Sequence, residues 1–198
     1  MQAINDDMTI NDELKTTISN LRQPEDIMSF FDNFIDYGCI DVDSIKHVDS
    51  LGGNDFRAKY RTLGLEDSLK YRIGACIEQT NVTKYLLDRM GIENRTLCTR
   101  GYSEKHKAPD DLYLVHCYTL AYVDSKVLNI EHSDSEMRGI RSYISAEEAI
   151  RETHKLFSDK FIRHGACETI LCEYKELIPG GLSFLEFNKH MNSIAHYI

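Results

Sequence analysis

A two-residue connection between two apolar, β-prone runs constrains this chain more than any other feature. The runs span residues 112–123 and 126–131, and only Asp124 and Ser125 separate them. A short polar connection of this kind predicts a hairpin of two antiparallel strands. The hairpin brings the end of its second strand beside the beginning of its first, so side chains there are expected to meet.

Other segments of the chain repeat their apolar residues at helical or strand spacing. We expect helices over residues 9–21, 24–38, 76–90 and 145–157 and around Leu185, and strands over residues 94–102 and 169–174. Ser145 with Glu148 three residues later is a capping-box signature for the fourth helix. Residues 39–71 show no regular pattern. Helices followed by an antiparallel sheet and further helices predict an α+β fold.

The length and composition of the chain favour one domain. A chain of 198 residues fills a single core, and the sequence contains no Gly/Ser-rich linker. We therefore expect one domain over residues 1–198, in which residues 1–22 form an amino-terminal extension and helix.

The charge balance and the hydropathy exclude several classes of partner. The formal net charge is −9 and the basic residues are scattered, whereas nucleic-acid binding needs a concentrated basic face. No run approaches the ~20 apolar residues of a membrane span, and the acidic start does not resemble a signal peptide. We expect a cytoplasmic protein whose six cysteines stay reduced and which binds neither nucleic acid nor membrane.

Cys76 stands at the predicted start of a helix, where a thiol becomes a better nucleophile. A free thiol has a pKa of about 8.5, and both the positive end of a helix and a nearby imidazole lower it. The preceding Gly74 and Ala75 are small, so the chain can turn tightly there and leave space for an acyl group. The Cys76 amide is a candidate donor to an oxyanion.

The predicted hairpin supplies the two other groups that thiol chemistry needs. His116 lies in its first strand, and Glu131 ends its second strand. We expect Glu131 to accept from the imidazole and to set its tautomer, while His116 acts as general base and acid. Asp134 is the alternative acid if the register differs, and His132 is expected to face the other way.

The same reasoning predicts where three further residues lie. Gln79 lies one helical turn after Cys76 and is a candidate lining residue of the site. Glu78 falls on another side of that helix, which favours the surface. Arg138 could pair with Glu131 or bind a substrate carboxylate, but a structural ion pair is the favoured interpretation.

Two other candidate sites have less support in the sequence than the Cys76 site. Gly165-Ala166-Cys167 repeats the tripeptide before Cys76, but the histidines that follow lie on a predicted amphipathic helix with no strand acid after them. His164, Cys167 and Cys172 cluster in the sequence without the paired spacing of a zinc site. The chain contains no glycine loop for phosphate and no dinucleotide fingerprint.

The order and spacing of these residues resemble the transglutaminase-like superfamily, in particular a group of uncharacterised bacterial and phage proteins. The likeness covers roughly residues 34–157. The residues that carry it are Gly74, Cys76, Glu78 and Gln79, then His116, then Glu131, His132 and Ser133, and finally Arg138, Gly139, Ile140 and Tyr143; the earlier Asp36-Tyr37-Gly38 and Tyr60-Arg61 fit the same pattern. The chain departs from the pattern in having Ile77 after the cysteine, Cys117 after the histidine and no tryptophan.

The resemblance implies a papain-like core, with a nucleophile helix on an antiparallel sheet and a Cys–His–acid triad. It also implies acyl transfer from a peptide, protein or small amide substrate, either to water or to an amine, with no metal or organic cofactor. The alternative is a catalytically silent descendant of such an enzyme, which uses the same fold as a binding or host-interaction module.

Overall fold

The chain forms a mixed α+β fold, which confirms the fold class predicted from the sequence. The computed structural model describes residues 2–3, 12–49, 53–109 and 111–198. The helices are α1 (Asp12–Asn20), α2 (Glu25–Phe34), α3 (Gly53–Lys59), α4 (Leu65–Tyr71), α5 (Cys76–Arg89), α6 (Ala146–Arg163) and α7 (Phe184–Ile194). The strands are β1 (Gln2–Ala3), β2 (Asp36–Ile40), β3 (Ile45–Val48), β4 (Ile73–Gly74), β5 (Asn94–Tyr102), β6 (Leu114–Val123), β7 (Lys126–Glu131), β8 (Gly139–Tyr143), β9 (Glu168–Tyr174) and β10 (His196–Tyr197).

The predicted hairpin is β6–β7, in the larger, antiparallel sheet of order β10-β9-β5-β6-β7-β8. Asp124 and Ser125 both have positive φ, 47° and 64°, as a two-residue type I′ turn requires. Short polar residues tolerate this left-handed conformation better than bulky ones. The turn sets the register, in which Leu120 lies opposite Asn129.

Helices cover both faces of this sheet. On one face, Phe157 and Ala149 of α6 pack against Tyr118 and Leu120 of β6. On the other face, residues from α5 and α7 pack against the cysteines of the central strands. Burying a large apolar side chain in this way contributes roughly 1.5–3 kcal/mol.

Helix α5 is buried around most of its circumference, so its polar side chains need partners inside the protein. The Asn81 side chain donates to the Ile178 carbonyl at 2.8 Å and accepts from the Ile178 amide at 3.1 Å. The hydroxyl of Thr80 donates to the Cys76 carbonyl at 2.7 Å. The Thr80 bond lies within α5, whereas the two Asn81 bonds tie the helix that carries Cys76 to the segment around Ile178.

A smaller sheet has the strand order β1-β3-β2-β4, and only β3 and the end of β2 fall within residues 39–71, the segment without a regular sequence pattern. The helix expected over residues 24–38 is wrong beyond Phe34, because Ile35 is extended and the Asp36 amide donates to the Arg72 carbonyl at 2.9 Å. Strand β2 begins there and pairs in parallel with β4, with Tyr37 opposite Gly74.

Parts of the predicted amino-terminal extension, residues 1 and 4–11, lie outside the described residues, and α1 follows them. In the part of the chain that the structure describes, no helix is long and apolar enough to cross a bilayer.

Candidate active site

A tight connection between β4 and α5 places Cys76 at the first position of its helix. The Ala75 amide donates to Glu78 Oε2 at 3.0 Å, which is the reciprocal half of a capping box. A Cβ atom on Gly74 would lie only 2.5 Å from Glu78 Cβ. A residue with a side chain at position 74 would therefore force the connection to shift.

Glu78 itself is buried, and its expected surface position is wrong. Its carboxylate accepts from the Tyr60 hydroxyl at 2.5 Å and from the Leu63 amide at 3.1 Å, besides the Ala75 amide. Burial raises the pKa of this carboxyl above its usual range, although the hydrogen bonds oppose the rise. The sequence pattern missed this role because helical spacing locates a residue on a face without showing what covers that face.

The sulfur of Cys76 lies against the edge of β6. Its Sγ atom is 3.8 Å from the Val115 carbonyl oxygen, and the Cys117 amide donates to it. Strand β7 pairs with β6 only from Thr119 onwards. The polar groups of Val115 and Cys117 therefore face the start of α5 instead of another strand.

The imidazole of His116 joins the thiol to a carboxylate. His116 Nε2 lies 2.7 Å from Glu131 Oε2, and the ring and the Cys76 side chain shift each other's pKa. The ring stacks on Phe157, with the centroids 4.0 Å apart. The structure therefore brings together the three residues that the sequence singled out.

The second oxygen of Glu131 is held by the chain that follows it. Oε1 accepts from the Ser133 amide at 2.8 Å, the Ser133 hydroxyl at 2.9 Å and the Asp134 amide at 2.9 Å. The carboxylate of Asp134 instead pairs with Lys160 at 2.6 Å. Glu131, and not the alternative Asp134, is thus the acid in contact with the imidazole.

These contacts shift the pKa values of both His116 and Glu131. Burial opposes ionisation of Glu131, but the positive charge of His116 and the hydrogen bonds lower its pKa to about 2. Burial likewise opposes the charged form of His116, but the Glu131 carboxylate and the Cys76 side chain raise its pKa to about 10. The imidazole is therefore a much stronger base than a free histidine.

The thiol does not gain the lowered pKa that its helix position led us to expect. Burial raises the pKa of Cys76, and the hydrogen bonds from His116 and the Cys117 amide only partly offset this effect. The side chain is 7% exposed. Ionisation of Cys76 consequently depends on the basicity of His116.

His132 faces away from the imidazole of His116, as expected, and engages Gln79. His132 Nδ1 is 2.6 Å from Gln79 Oε1 and its Nε2 is 2.7 Å from Thr83 Oγ1, while its ring stacks on Phe31. Burial lowers the pKa of His132 to about 3, so this ring is neutral at physiological pH. The amide nitrogen of Gln79 lies 3.5 Å from the Asp36 carbonyl oxygen.

The remaining sequence candidates lie elsewhere. Arg138 forms an ion pair with Asp32 and donates to the His132 carbonyl at 2.7 Å. Cys167 is exposed, and its Sγ is 3.5 Å from the Tyr102 carbonyl oxygen. Within the described residues, no three side chains of His, Cys, Asp or Glu are arranged to hold a metal ion.

Tyr37 belongs to the Asp36-Tyr37-Gly38 part of the family pattern, but the sequence alone indicates no chemical role for it. Its side chain is 38% exposed. Burial of the hydroxyl and the charges of Cys76, Glu78, Asp134 and Glu131 raise its pKa. The pairing of β2 with β4 brings Tyr37 opposite Gly74, just before α5, although the two strands are far apart in the sequence.

No protein-family model matches this chain, and no curated protein matches it in sequence.

Proposed function

We propose that this protein is a thiol-dependent acyl-transfer enzyme, with Cys76 as nucleophile, His116 as general base and acid, and Glu131 as the orienting acid. The observation that carries the proposal is the position of the His116 ring, whose Nε2 lies 2.7 Å from Glu131 Oε2 and whose charge interacts with the Cys76 side chain. The resemblance to transglutaminase-like proteins agrees with this assignment.

The chemistry follows from the protonation of the three groups. In the reactive state His116 holds the proton that Cys76 has lost, so that a thiolate faces an imidazolium, which Glu131 stabilises. The thiolate adds to the carbonyl carbon of an amide, and the carbonyl π electrons move to oxygen. When the tetrahedral intermediate collapses, the C–N bond breaks and His116 gives its proton to the leaving nitrogen. Water or an amine then attacks the thioester, which releases Cys76.

The cost of burying Glu131 supports a functional role. A buried carboxylate is destabilising unless its partners compensate for the lost hydration. Glu131 is 2% exposed, and both its oxygens are bonded within the hairpin and the turn that follows it. Apolar residues could fill this space at lower cost, so the arrangement is best explained by the base that it creates at His116.

The substrate class is an amide of a peptide, protein or small molecule. Transfer to water would make the protein an amidase, peptidase or deamidase, and transfer to an amine would make it a transferase. The difference depends on how well water is excluded during the second step. In a reducing cytoplasm the six cysteines, all free in the structure, would remain thiols.

The test is the rate of iodoacetamide alkylation at each cysteine as a function of pH, read by mass spectrometry. Exposed Cys167 serves as the reference cysteine within the same molecule. We expect Cys76 to react faster than Cys167 at pH 7 and to lose this advantage in His116→Ala. If Cys76 is slower than Cys167 in both proteins, the enzyme assignment fails, and the silent binding module becomes the better description.

A further inference from the structure

Acyl transfer at Cys76 creates a negative charge on the former carbonyl oxygen, and that charge needs hydrogen-bond donors. The Ala75 amide already donates its hydrogen bond to Glu78 Oε2. The Cys76 amide begins α5 and so has no acceptor within the helix. A single amide leaves the oxyanion only half stabilised, because such sites ordinarily present two donors.

The parallel pairing of β2 with β4 directs Tyr37 towards the start of α5. Tyr37 lies opposite Gly74, and directly paired residues of neighbouring strands project to the same face of a sheet. A side chain at position 74 would project towards Glu78, since a Cβ on Gly74 would lie 2.5 Å from Glu78 Cβ. Tyr37 therefore projects towards the first turn of the nucleophile helix, beside a residue that has no side chain.

The backbone around Tyr37 is held at several points. The Tyr37 carbonyl accepts from the Asp49 amide at 2.9 Å, and the Asp36 amide donates to the Arg72 carbonyl at 2.9 Å. The tyrosine side chain is 38% exposed, whereas Cys76 is 7% exposed. Tyr37 is thus the more accessible of the two residues, so a substrate that approaches from solvent can contact it.

We propose that the Tyr37 hydroxyl is a catalytic residue that donates the second hydrogen bond to the oxyanion, an inference that rests on the acyl transfer proposed above. As the S–C bond forms, the carbonyl π electrons move to oxygen, and the Tyr37 O–H and the Cys76 N–H both donate to it. Neither donor gives up its proton. The C–N bond then breaks, and His116 protonates the leaving nitrogen.

The surroundings of Tyr37 suit a donor that stays protonated. Its hydroxyl lies near groups that carry negative charge in their ionised forms, including Glu131 and Asp134, and these charges together with burial raise the pKa of the phenol. A neutral phenol keeps its O–H available, and its donation becomes stronger only when the carbonyl oxygen gains charge.

Two reagents that attack the same sulfur distinguish this role from any effect on the thiol. Iodoacetamide alkylates Cys76 by displacement of iodide, with no oxyanion, whereas p-nitrophenyl acetate acetylates it through one. In Tyr37→Phe, which keeps the ring and removes the hydroxyl, we expect acetylation to slow by about 100-fold or more while alkylation is unchanged. Tyr85→Phe, on the same helix as Cys76 but in its third turn, is the matched control and should change neither rate.

The outcomes separate this inference from the proposed function. If wild-type Cys76 is acetylated no faster than Cys167, the acyl-transfer function fails, and the role of Tyr37 fails with it. If wild-type Cys76 is acetylated fast and Tyr37→Phe retains that rate, only the role of Tyr37 is overturned. Equal slowing of both reactions in Tyr37→Phe would also overturn it, because the hydroxyl would then act on the thiol.

Discussion

The Glu131 carboxylate bonds the imidazole of His116 through one oxygen and the chain immediately after Glu131 through the other. Oε2 lies 2.7 Å from His116 Nε2, while Oε1 accepts from Ser133 and the Asp134 amide. The strand end and the turn that follows it therefore orient the carboxylate independently of the histidine. Whenever the ring is neutral, this arrangement sets its tautomer, because Nε2 keeps the proton that faces Glu131.

Replacement of Glu131 by glutamine should disable the base without enlarging the site. In Glu131→Gln the amide can donate to His116 Nε2, which moves the ring proton to the nitrogen that must receive the proton of Cys76. The negative charge is lost as well. We expect the pKa of His116 to fall from about 10 towards 6.5 and alkylation of Cys76 at pH 7 to slow by roughly 100-fold. NMR titration of the His116 ring and mass spectrometry measure the two effects.

Asp134→Asn is the contrasting variant. It removes the carboxylate that pairs with Lys160 but keeps the backbone amide that donates to Glu131. We expect Cys76 to keep its wild-type alkylation rate in this variant. A loss as large as that of Glu131→Gln would identify Asp134 as the operative acid and contradict the assignment of Glu131.

The local sequence predicted the hairpin and the acid well, because both depend on short-range rules. The two-residue turn sets the register of β6 and β7, and the register determines which carboxylate meets His116. Strand β8 was missed because it is an edge strand of partly buried residues, so its apolar alternation is weak. The buried position of Glu78 could not be predicted, because residues distant in the sequence, such as Tyr60, supply its partners.

The position of Tyr37 beside the start of α5 could not be predicted from local sequence patterns, for a similar reason. Parallel strands such as β2 and β4 are joined by a long crossover, so no short turn sequence indicates that they pair. The pKa of Cys76 illustrates a different limit. Helix position and a nearby histidine are visible in the sequence, but the burial that outweighs them is a property of the assembled core.

The buried His132 predicts a stability that declines in acid. The unfolded chain binds a proton at this residue below about pH 6.5, whereas the folded protein does so only near pH 3. The folded pKa is the lower one, so the contribution is complete above pH 6.5 and is lost as the pH falls towards 3. The free energy of unfolding should decline by about 1.4 kcal/mol per pH unit from this residue alone. Urea titrations between pH 7 and 5 measure the slope.

His132→Gln should flatten that slope, since glutamine does not titrate. The matched control is His196→Gln, at an exposed position in β10. It should leave the slope of the wild type unaltered. An equally steep slope in His132→Gln would show that other groups cause the acid sensitivity.

Glu78 is expected to stabilise the fold through its acceptor atoms. Its oxygens accept from the Tyr60 hydroxyl and from the Leu63 and Ala75 amides. Glu78→Gln keeps the shape but turns an N–H group towards at least one of these donors. We expect the free energy of unfolding in urea to drop by about 1–3 kcal/mol. Glu176→Gln, at an exposed loop position, should cause no measurable change.

The absence of a side chain at Gly74 links the fold to the reactivity of Cys76. In Gly74→Ala the new Cβ would lie 2.5 Å from Glu78 Cβ, so the connection before α5 must move. We expect a loss of about 1–3 kcal/mol in stability and slower alkylation of Cys76 in the fraction that remains folded. In Gly64→Ala the nearest atom lies 3.6 Å from the new Cβ, an ordinary contact, and both quantities should stay at wild-type values. Unchanged reactivity in folded Gly74→Ala would mean that the position of Cys76 does not depend on this close approach, and that α5 is held in place by its buried polar contacts alone.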